Sequence, residues 1–191
     1  MSNNINDLNL ENLKNKINNY KSVLDNTKKY RQEWNDHLKD FIKSSLSEIC
    51  KESGIKYEIL EEEQYTNLGA IILTLGNVKS GIYQIGDDSI EKHLVRHNGS
   101  LIYQQLFNGK IMVVMNFPVI ESYMEPKPPK TIAIYRPEEL KAPYILRHVE
   151  TLISEIIAWE DYDDEEQDRK MTIGFQTPYR LDGSDEIEVE G

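Results

Sequence analysis

The sequence has little of what disulfide-stabilised and membrane-spanning proteins need. Its 191 residues include a single cysteine, which cannot form an internal disulfide and favours a reducing location. The longest apolar run, Ile111–Met115, is far shorter than the ~20 residues of a membrane span. Residues 1–10 lack the apolar core of a secretory signal. We therefore expect a cytoplasmic protein, or a virion or other assembly component made in the cytoplasm, without a membrane partner.

Catalytic signatures are also missing: the sequence contains no phosphate-binding glycine loop, nucleophile elbow or kinase motif. Cys50 has no base in a recognisable motif and is interpreted as a small buried residue. His93 and His97 precede an Asn-Gly turn signal, and on the predicted strand they would lie ~13 Å apart, too far to share a metal ion. We predict no catalytic residue, cofactor or metal and a non-enzymatic protein. An enzyme that uses Glu58, His93 or Tyr103 in a cleft of the sheet is an alternative.

The net charge of −11 is concentrated at the C-terminal end of the chain. Residues 160–191 contain twelve acidic and three basic side chains, a net charge of −9, whereas residues 1–159 carry only −2. Acidic chains are poor nucleic-acid binders, because phosphate neutralisation supplies most of that affinity. A block of like charge is typical of a solvated docking segment, and mimicry of nucleic acid by this tail is a further alternative.

A helical pattern runs from about Asp7 to Ser53 without proline or glycine. Its apolar residues recur in steps of three and four, the heptad pattern of a coiled coil. A helix of ~46 residues would be ~69 Å long, whereas a chain of this size has a radius of gyration of ~16 Å. The helix is therefore expected either to fold back as a hairpin or to pack on another chain.

The middle of the chain has the alternation and turn signals of an antiparallel sheet. Asn98-Gly99 and Asn108-Gly109 separate apolar segments ten residues apart, and Asn-Gly accepts the positive φ angles of a two-residue type I′ hairpin turn. Together they predict a three-stranded meander. Further strands are expected near residues 55–59, 70–75, 82–85 and 130–136.

The C-terminal part combines one apolar helix with the acidic tail. Pro137 fits a first helical turn, Pro143 restarts the helix, and residues 144–159 carry an apolar face that is expected to cover the sheet. Within the tail, apolar islands near Ile173 and Tyr179 have the character of segments that dock on another protein, although packing back on the body is an equally good interpretation.

These patterns predict an α+β fold with a long N-terminal helix, an antiparallel meander sheet of about five to seven strands, a C-terminal helix packed on the sheet, and an acidic tail. We predict three parts of the chain: a long amphipathic, coiled-coil-like helix at residues 1–54, the α+β domain at residues 55–159 (sheet 55–136, helix 137–159) and the acidic tail at residues 160–191.

The expected function is non-enzymatic protein binding, as a structural subunit of a larger assembly such as a phage or secretion-type machine. The helix would mediate homo-oligomerisation or bundling in a hetero-assembly, and the tail would dock. An acidic cytosolic chaperone or immunity-type inhibitor of one client is the main alternative. The predicted partner-binding residues are the apolar positions of the helix and tail: Leu10, Leu13, Ile17, Tyr20, Leu24, Trp34, Leu38, Phe41, Ile173, Phe175, Tyr179 and Leu181.

Overall fold

The structure is a computed structural model that describes residues 9–63, 65–85 and 91–161. Its helices are α1 (Glu11–Glu33), α2 (Lys39–Ser53) and α3 (Ala142–Glu160), with a π-helical segment at Trp34–Leu38 and a 3₁₀ turn at Pro137–Glu139. Its strands are β1 (Glu58–Glu62), β2 (Ala70–Thr74), β3 (Asn77–Ile85), β4 (Glu91–His97), β5 (Ser100–Gln105), β6 (Ile111–Asn116), β7 (Val119–Ile120) and β8 (Lys130–Tyr135). These elements confirm the predicted α+β class.

One continuous helix is formed by α1, the π-helical segment and α2. Its 23, 5 and 15 residues give a length of ~65 Å, and it ends at Gly54, whose φ of 70° suits a helix C-terminus. The helix does not fold back, so the hairpin alternative is wrong. A helix of this length extends beyond its own domain, and only its second half lies on the sheet.

The buried face of the helix follows a repeat of four residues instead of the heptad. An ideal α-helix rotates ~40° further with each step of four, and the wider turn of the π-helical segment offsets part of that drift. The buried residues at this spacing are Tyr30, Trp34, Leu38, Ile42, Leu46 and Cys50. The predicted seam at Phe41 is therefore displaced: Ile42 is fully buried, and Phe41 packs partly buried against the core.

Helices α2 and α3 cover one face of a five-stranded antiparallel sheet with the order β1-β2-β5-β6-β8. Alternate residues of each central strand point into the core, as the two-residue period of a strand requires. Helix and sheet therefore share one core, and the predicted boundary at residue 54 separates two segments that pack together. The opposite face of the sheet is half-buried along Ile72, Ile102 and Val114, which are cross-strand neighbours.

A second sheet of three strands, β3-β4-β7, is the outer half of a bent β-ribbon. Thr74 pairs with Ser100 and Asn77 pairs with His97, so the register is unbroken across the corner. Asn98 holds that corner, because its backbone N–H donates to the Gly76 carbonyl and its side-chain amide to that of Leu75. The predicted hairpin at Asn98-Gly99 is wrong: the chain passes there from one sheet to the other.

The second Asn-Gly signal does form a hairpin, between β5 and β6. The Gly109 N–H donates to the Leu106 carbonyl and the Leu106 N–H to the Lys110 carbonyl. Within this turn, Gly109 has a positive φ of 77° and Asn108 does not, which is typical of a type I turn followed by a bulge. The predicted type I′ geometry is therefore wrong, although the hairpin itself is confirmed.

Helix α3 follows the 3₁₀ turn with Pro143 in its first turn, as the sequence predicts. Its apolar face contributes Ile145, Val149 and Leu152 to the core. Among the described residues, none of the helices combines the length and the apolar character that a membrane crossing requires.

Candidate functional site

The first half of the N-terminal helix carries an exposed row of apolar side chains. Between 40% and 63% of each side chain is exposed, although large apolar residues are usually buried. Five residues, which we call the helix stripe, follow the predicted heptad: Leu10, Leu13, Ile17, Tyr20 and Leu24. Val23 lies beside the stripe and is 57% exposed. The described chain leaves this row without a cover.

The helix first meets the body at the tip of the β5–β6 hairpin. Gly109 lies so close to the helix that a Cβ atom there would be 2.7 Å from the Tyr30 Cβ and 3.1 Å from the Thr27 carbonyl oxygen. The Arg31 guanidinium donates a hydrogen bond of 2.6 Å to the Phe107 carbonyl oxygen. The hairpin tip therefore holds the last turn of α1, and the stripe projects from that point.

A groove lies where the stripe meets the hairpin tip, with a volume of about 730 Å³. Its apolar lining includes Tyr20, Val23 and Leu24 from the helix and Phe107 from the hairpin. Phe107 is 75% exposed, an unusual position for a phenylalanine. The stripe thus continues into a groove that the body itself helps to form.

The electrostatics of α1 differ from those of the whole chain. Its 23 residues contain six basic and three acidic side chains, a net charge of +3, against −11 for the chain. Lys14, Lys16, Lys21 and Lys28 flank the stripe and are exposed. Lys28 makes a loose contact of 3.9 Å with Asp25. The exposed apolar row is therefore bordered by basic side chains.

The structure divides the predicted partner-binding residues into three groups. The five stripe residues are exposed. Trp34 and Leu38 are buried in the chain's own core, 1% and 5% exposed, and are therefore not available to a partner, whereas Phe41 is partly buried against that core. The four tail positions lie outside the described residues: Ile173, Phe175, Tyr179 and Leu181.

The sequence pattern predicts Phe107 as the end of a strand and therefore does not identify it as a site residue. The turn chemistry offered a signal: the residue before Asn-Gly lies at the hairpin tip, where a large apolar side chain has no neighbour on its own sheet. Val23 was also missed, because it lies one position off the heptad row.

The alternative enzyme site is not assembled from its three proposed residues. Tyr103 is fully buried on β5, Glu58 lies at the exposed end of edge strand β1, and His93 belongs to the other sheet, where its ring lies 4.3 Å from that of Tyr83. The three side chains therefore do not share the cleft that the alternative enzyme site requires.

Tyr103 instead belongs to a buried hydrogen-bonded trio. Its hydroxyl lies 3.1 Å from His148 Nδ1, and the Tyr135 hydroxyl lies 3.1 Å from His148 Nε2. Burial, with a smaller effect of Arg147, lowers the pKa of His148 to about 4, so the ring is neutral at pH 7 and donates through one nitrogen while accepting through the other. Burial also raises the pKa of Tyr103. The trio joins β5, β8 and α3 and is structural.

Two other polar features of the body offer little chemistry. His97 lies between Asn77 and Glu121, with ring-nitrogen contacts of 2.8 Å to each, and borders a small cleft between the sheets. Burial raises the pKa of the Cys50 thiol, which disfavours the reactive thiolate. Within residues 9–63, 65–85 and 91–161, no three or more His, Cys, Asp or Glu side chains are grouped as a metal site would require.

Comparisons with protein-family models, with curated proteins and with solved structures find no match to this chain. The functional argument therefore depends on the stripe, the groove and their surroundings.

Proposed function

We propose that the chain is a non-enzymatic subunit of a larger protein assembly, and that its projecting N-terminal helix is the element that binds the partner. The observation that carries this proposal is the helix stripe, which keeps the heptad spacing of a coiled-coil seam while 40–63% of each side chain is exposed. Contiguous exposed apolar rows are typical of protein interaction sites. The stripe leads into the groove beside Phe107, so a helical partner would contact both the helix and the body.

Helix energetics support the same proposal. Isolated helices are marginal in water, and most helical stability in proteins comes from packing of an apolar face. The part of α1 that precedes Thr27 is exposed throughout, and it is rich in asparagine, a weak helix former. A partner that packs on the stripe would supply the missing stabilisation.

Site-specific photo-crosslinking in the cells from which the protein comes tests the proposal. A photoreactive side chain at Ile17 is expected to give one discrete protein adduct. The matched control places the same group at Asn15, two residues away on the opposite face of the helix. Equal labelling at both positions, or a discrete adduct only at Asn15, would contradict the proposal.

Amide hydrogen exchange on the dilute purified chain is a second test. We expect residues 11–26 to exchange much faster than residues 39–53, because only the second group is packed on the sheet. Equal protection of both segments in a monomer would show that the helix needs no partner, and would contradict the proposal.

The adduct also decides between the proposed function and the second hypothesis. A subunit of an assembly is expected to crosslink to a constituent of a large particle, which sediments with it. A chaperone or immunity-type inhibitor would instead give one stoichiometric complex with a single client. The buried single cysteine is compatible with the cytoplasmic location that both hypotheses propose.

A further inference from the structure

The charged residues beside the stripe indicate the charge of the partner, which the apolar residues of the stripe do not. In the heptad, Leu10, Ile17 and Leu24 take a positions, and Leu13 and Tyr20 take d positions. The flanking e positions are then all lysine, at Lys14, Lys21 and Lys28. These flanking positions form the interhelical ion pairs that set partner choice in coiled coils.

A second copy of the same helix is a poor partner for this pattern. In a parallel pair, the g position of one helix meets the following e position of the other, which places Lys16 against Lys21. In an antiparallel pair the two e rows face each other, and every one of their contacts is lysine against lysine. Like charges at such neighbouring positions destabilise the pair.

The groove has the same charge character as the stripe. Lys21, Lys28 and Arg31 line it together with the apolar residues and Phe107, and among the described residues Asp25 is the one acidic side chain in the lining. The acidic residues of α1 are few, and Lys14, Lys16 and Lys21 form no ion pair within the described part of the chain. Three exposed cations are therefore available to a partner.

We infer that the occupant of the stripe is an amphipathic helix of a different protein, with apolar a and d residues and acidic e and g residues. This inference rests on the proposed function and adds the chemistry of the partner. The complex would then contain two different proteins, and not the homo-oligomer that the heptad spacing alone allows.

A basic amphipathic helix also suits an anionic membrane surface, but the width of the apolar face argues against it. A membrane-surface helix buries a broad apolar face, whereas the apolar residues of α1 occupy the narrow a/d row with Val23 beside it. Beyond the flanking e and g positions, the b and c positions include asparagines where a broad membrane-binding face would need apolar residues: Asn12, Asn18 and Asn19. Binding to lipid is therefore an outcome that the test must distinguish.

Two synthetic helical peptides of about 28 residues probe the inference with the full chain. Both have leucine at a and d; one has glutamate at all e and g positions, and the other has lysine there. We expect the glutamate peptide to bind about tenfold or more tightly than the lysine peptide. Its affinity is expected to fall between ~0.05 M and ~0.5 M salt, because exposed ion pairs are screened.

A charge reversal locates the effect on the helix. Lys21→Glu, in the middle of the e row, is expected to weaken binding of the glutamate peptide about fourfold and to strengthen binding of the lysine peptide. The matched control is Lys29→Glu, which makes the same charge change on the opposite face, at an f position. It is expected to leave both affinities unchanged.

Three results would overturn the inference. Equal affinity for the two peptides would mean that the lysines do not select the partner. Concentration-dependent dimerisation of the chain in light scattering, abolished by Ile17→Asp, would identify a second copy as the occupant. Binding to vesicles of anionic phospholipid, with no affinity for the glutamate peptide, would identify a membrane. The first two leave the proposed function intact, whereas failure of the crosslinking at Ile17 would remove the proposed function itself.

Discussion

Arg31 and Phe107 join the projecting helix to the hairpin tip: the Arg31 Nη2 atom donates to the Phe107 carbonyl oxygen at 2.6 Å. The two residues are 76 positions apart in the sequence, and this bond fixes the backbone of Phe107 while its ring stays 75% exposed. The contact therefore joins the exposed part of the helix to the hairpin tip, beside the groove.

The first prediction concerns Gly109, which allows this contact. Gly109→Ala would adopt a left-handed φ of 77° and would place a Cβ atom 2.7 Å from the Tyr30 Cβ. We expect a loss of about 3 kcal/mol in the free energy of unfolding, from backbone strain and from the forced shift of the helix. Urea denaturation followed by circular dichroism measures it.

Gly76→Ala is the matched control, because Gly76 has a φ of 73° and no atom within 4 Å of an added Cβ. At Gly76 the substitution introduces only the strain of a left-handed φ, so we expect a loss of about 1–2 kcal/mol in the free energy of unfolding. Equal losses in the two variants would show that the helix does not press on the hairpin tip.

The second prediction separates the buried and the exposed parts of the helix. Trp34→Ala is expected to destabilise the dilute protein by about 3–5 kcal/mol, because Trp34 is a core residue. Leu13→Ala, at a side chain 52% exposed, is expected to change stability by less than about 0.5 kcal/mol. Equilibrium denaturation at two protein concentrations measures both. A large, concentration-dependent loss in Leu13→Ala would contradict the inference that the partner of the stripe is a different protein.

The sequence was sufficient to predict a helical segment and its heptad row, because heptad spacing is local information, but it left open whether the helix is continuous or a hairpin. The sequence did not predict the point along the helix at which this row becomes buried. Leu24 and Trp34 both lie on the a/d row of the heptad, yet only Trp34 is buried. That difference depends on where β5 and β6 lie, and on the π-helical segment that brings Trp34 and Leu38 to the core face.

The two Asn-Gly signals show the same limit in the sheet. Asn108-Gly109 closes a hairpin and Asn98-Gly99 turns a corner between two sheets, although the dipeptides are identical. The outcome at Asn98 is set by a partner from elsewhere in the chain, because its side chain and backbone bond to the Leu75–Gly76 corner. Turn propensity alone carries no information about that pairing.

The third prediction concerns Gln105, a fully buried amide that has no hydrogen-bond partner for either its Oε1 or its Nε2 atom among the described residues. An unpaired buried polar group destabilises a fold by about 1–3 kcal/mol. Gln105→Met keeps a similar shape without the amide, and we expect stability to rise by about 1–2 kcal/mol in urea denaturation.

The neighbouring Gln104→Met is the control for that substitution. Gln104 points to the opposite, half-exposed face of the sheet, so we expect a change within about 0.5 kcal/mol. A loss of stability in Gln105→Met alone would mean that the buried amide is satisfied in solution.

The fourth prediction is the pH dependence that His148 gives to folding. Burial lowers its pKa to about 4 in the folded chain, against about 6.5 when unfolded. Between these pH values the unfolded state binds more protons than the folded state. The contribution of His148 to the free energy of unfolding is therefore fully present well above pH 6.5 and is lost as the pH falls towards 4. We expect a loss of about 2 kcal/mol between pH 7 and pH 5 from this residue alone.

Urea denaturation at pH 7, 6 and 5 measures this loss in the wild type and in His148→Gln. The glutamine can still donate and accept towards the two tyrosine hydroxyls but does not titrate, so we expect its stability to change much less over this range. His37→Gln is the control, since 74% of the His37 side chain is exposed on the helix, and it should keep the wild-type slope. If His148→Gln loses stability as steeply as the wild type, the pH dependence belongs to other groups, and the trio of Tyr103, His148 and Tyr135 does not hold its histidine neutral against protonation.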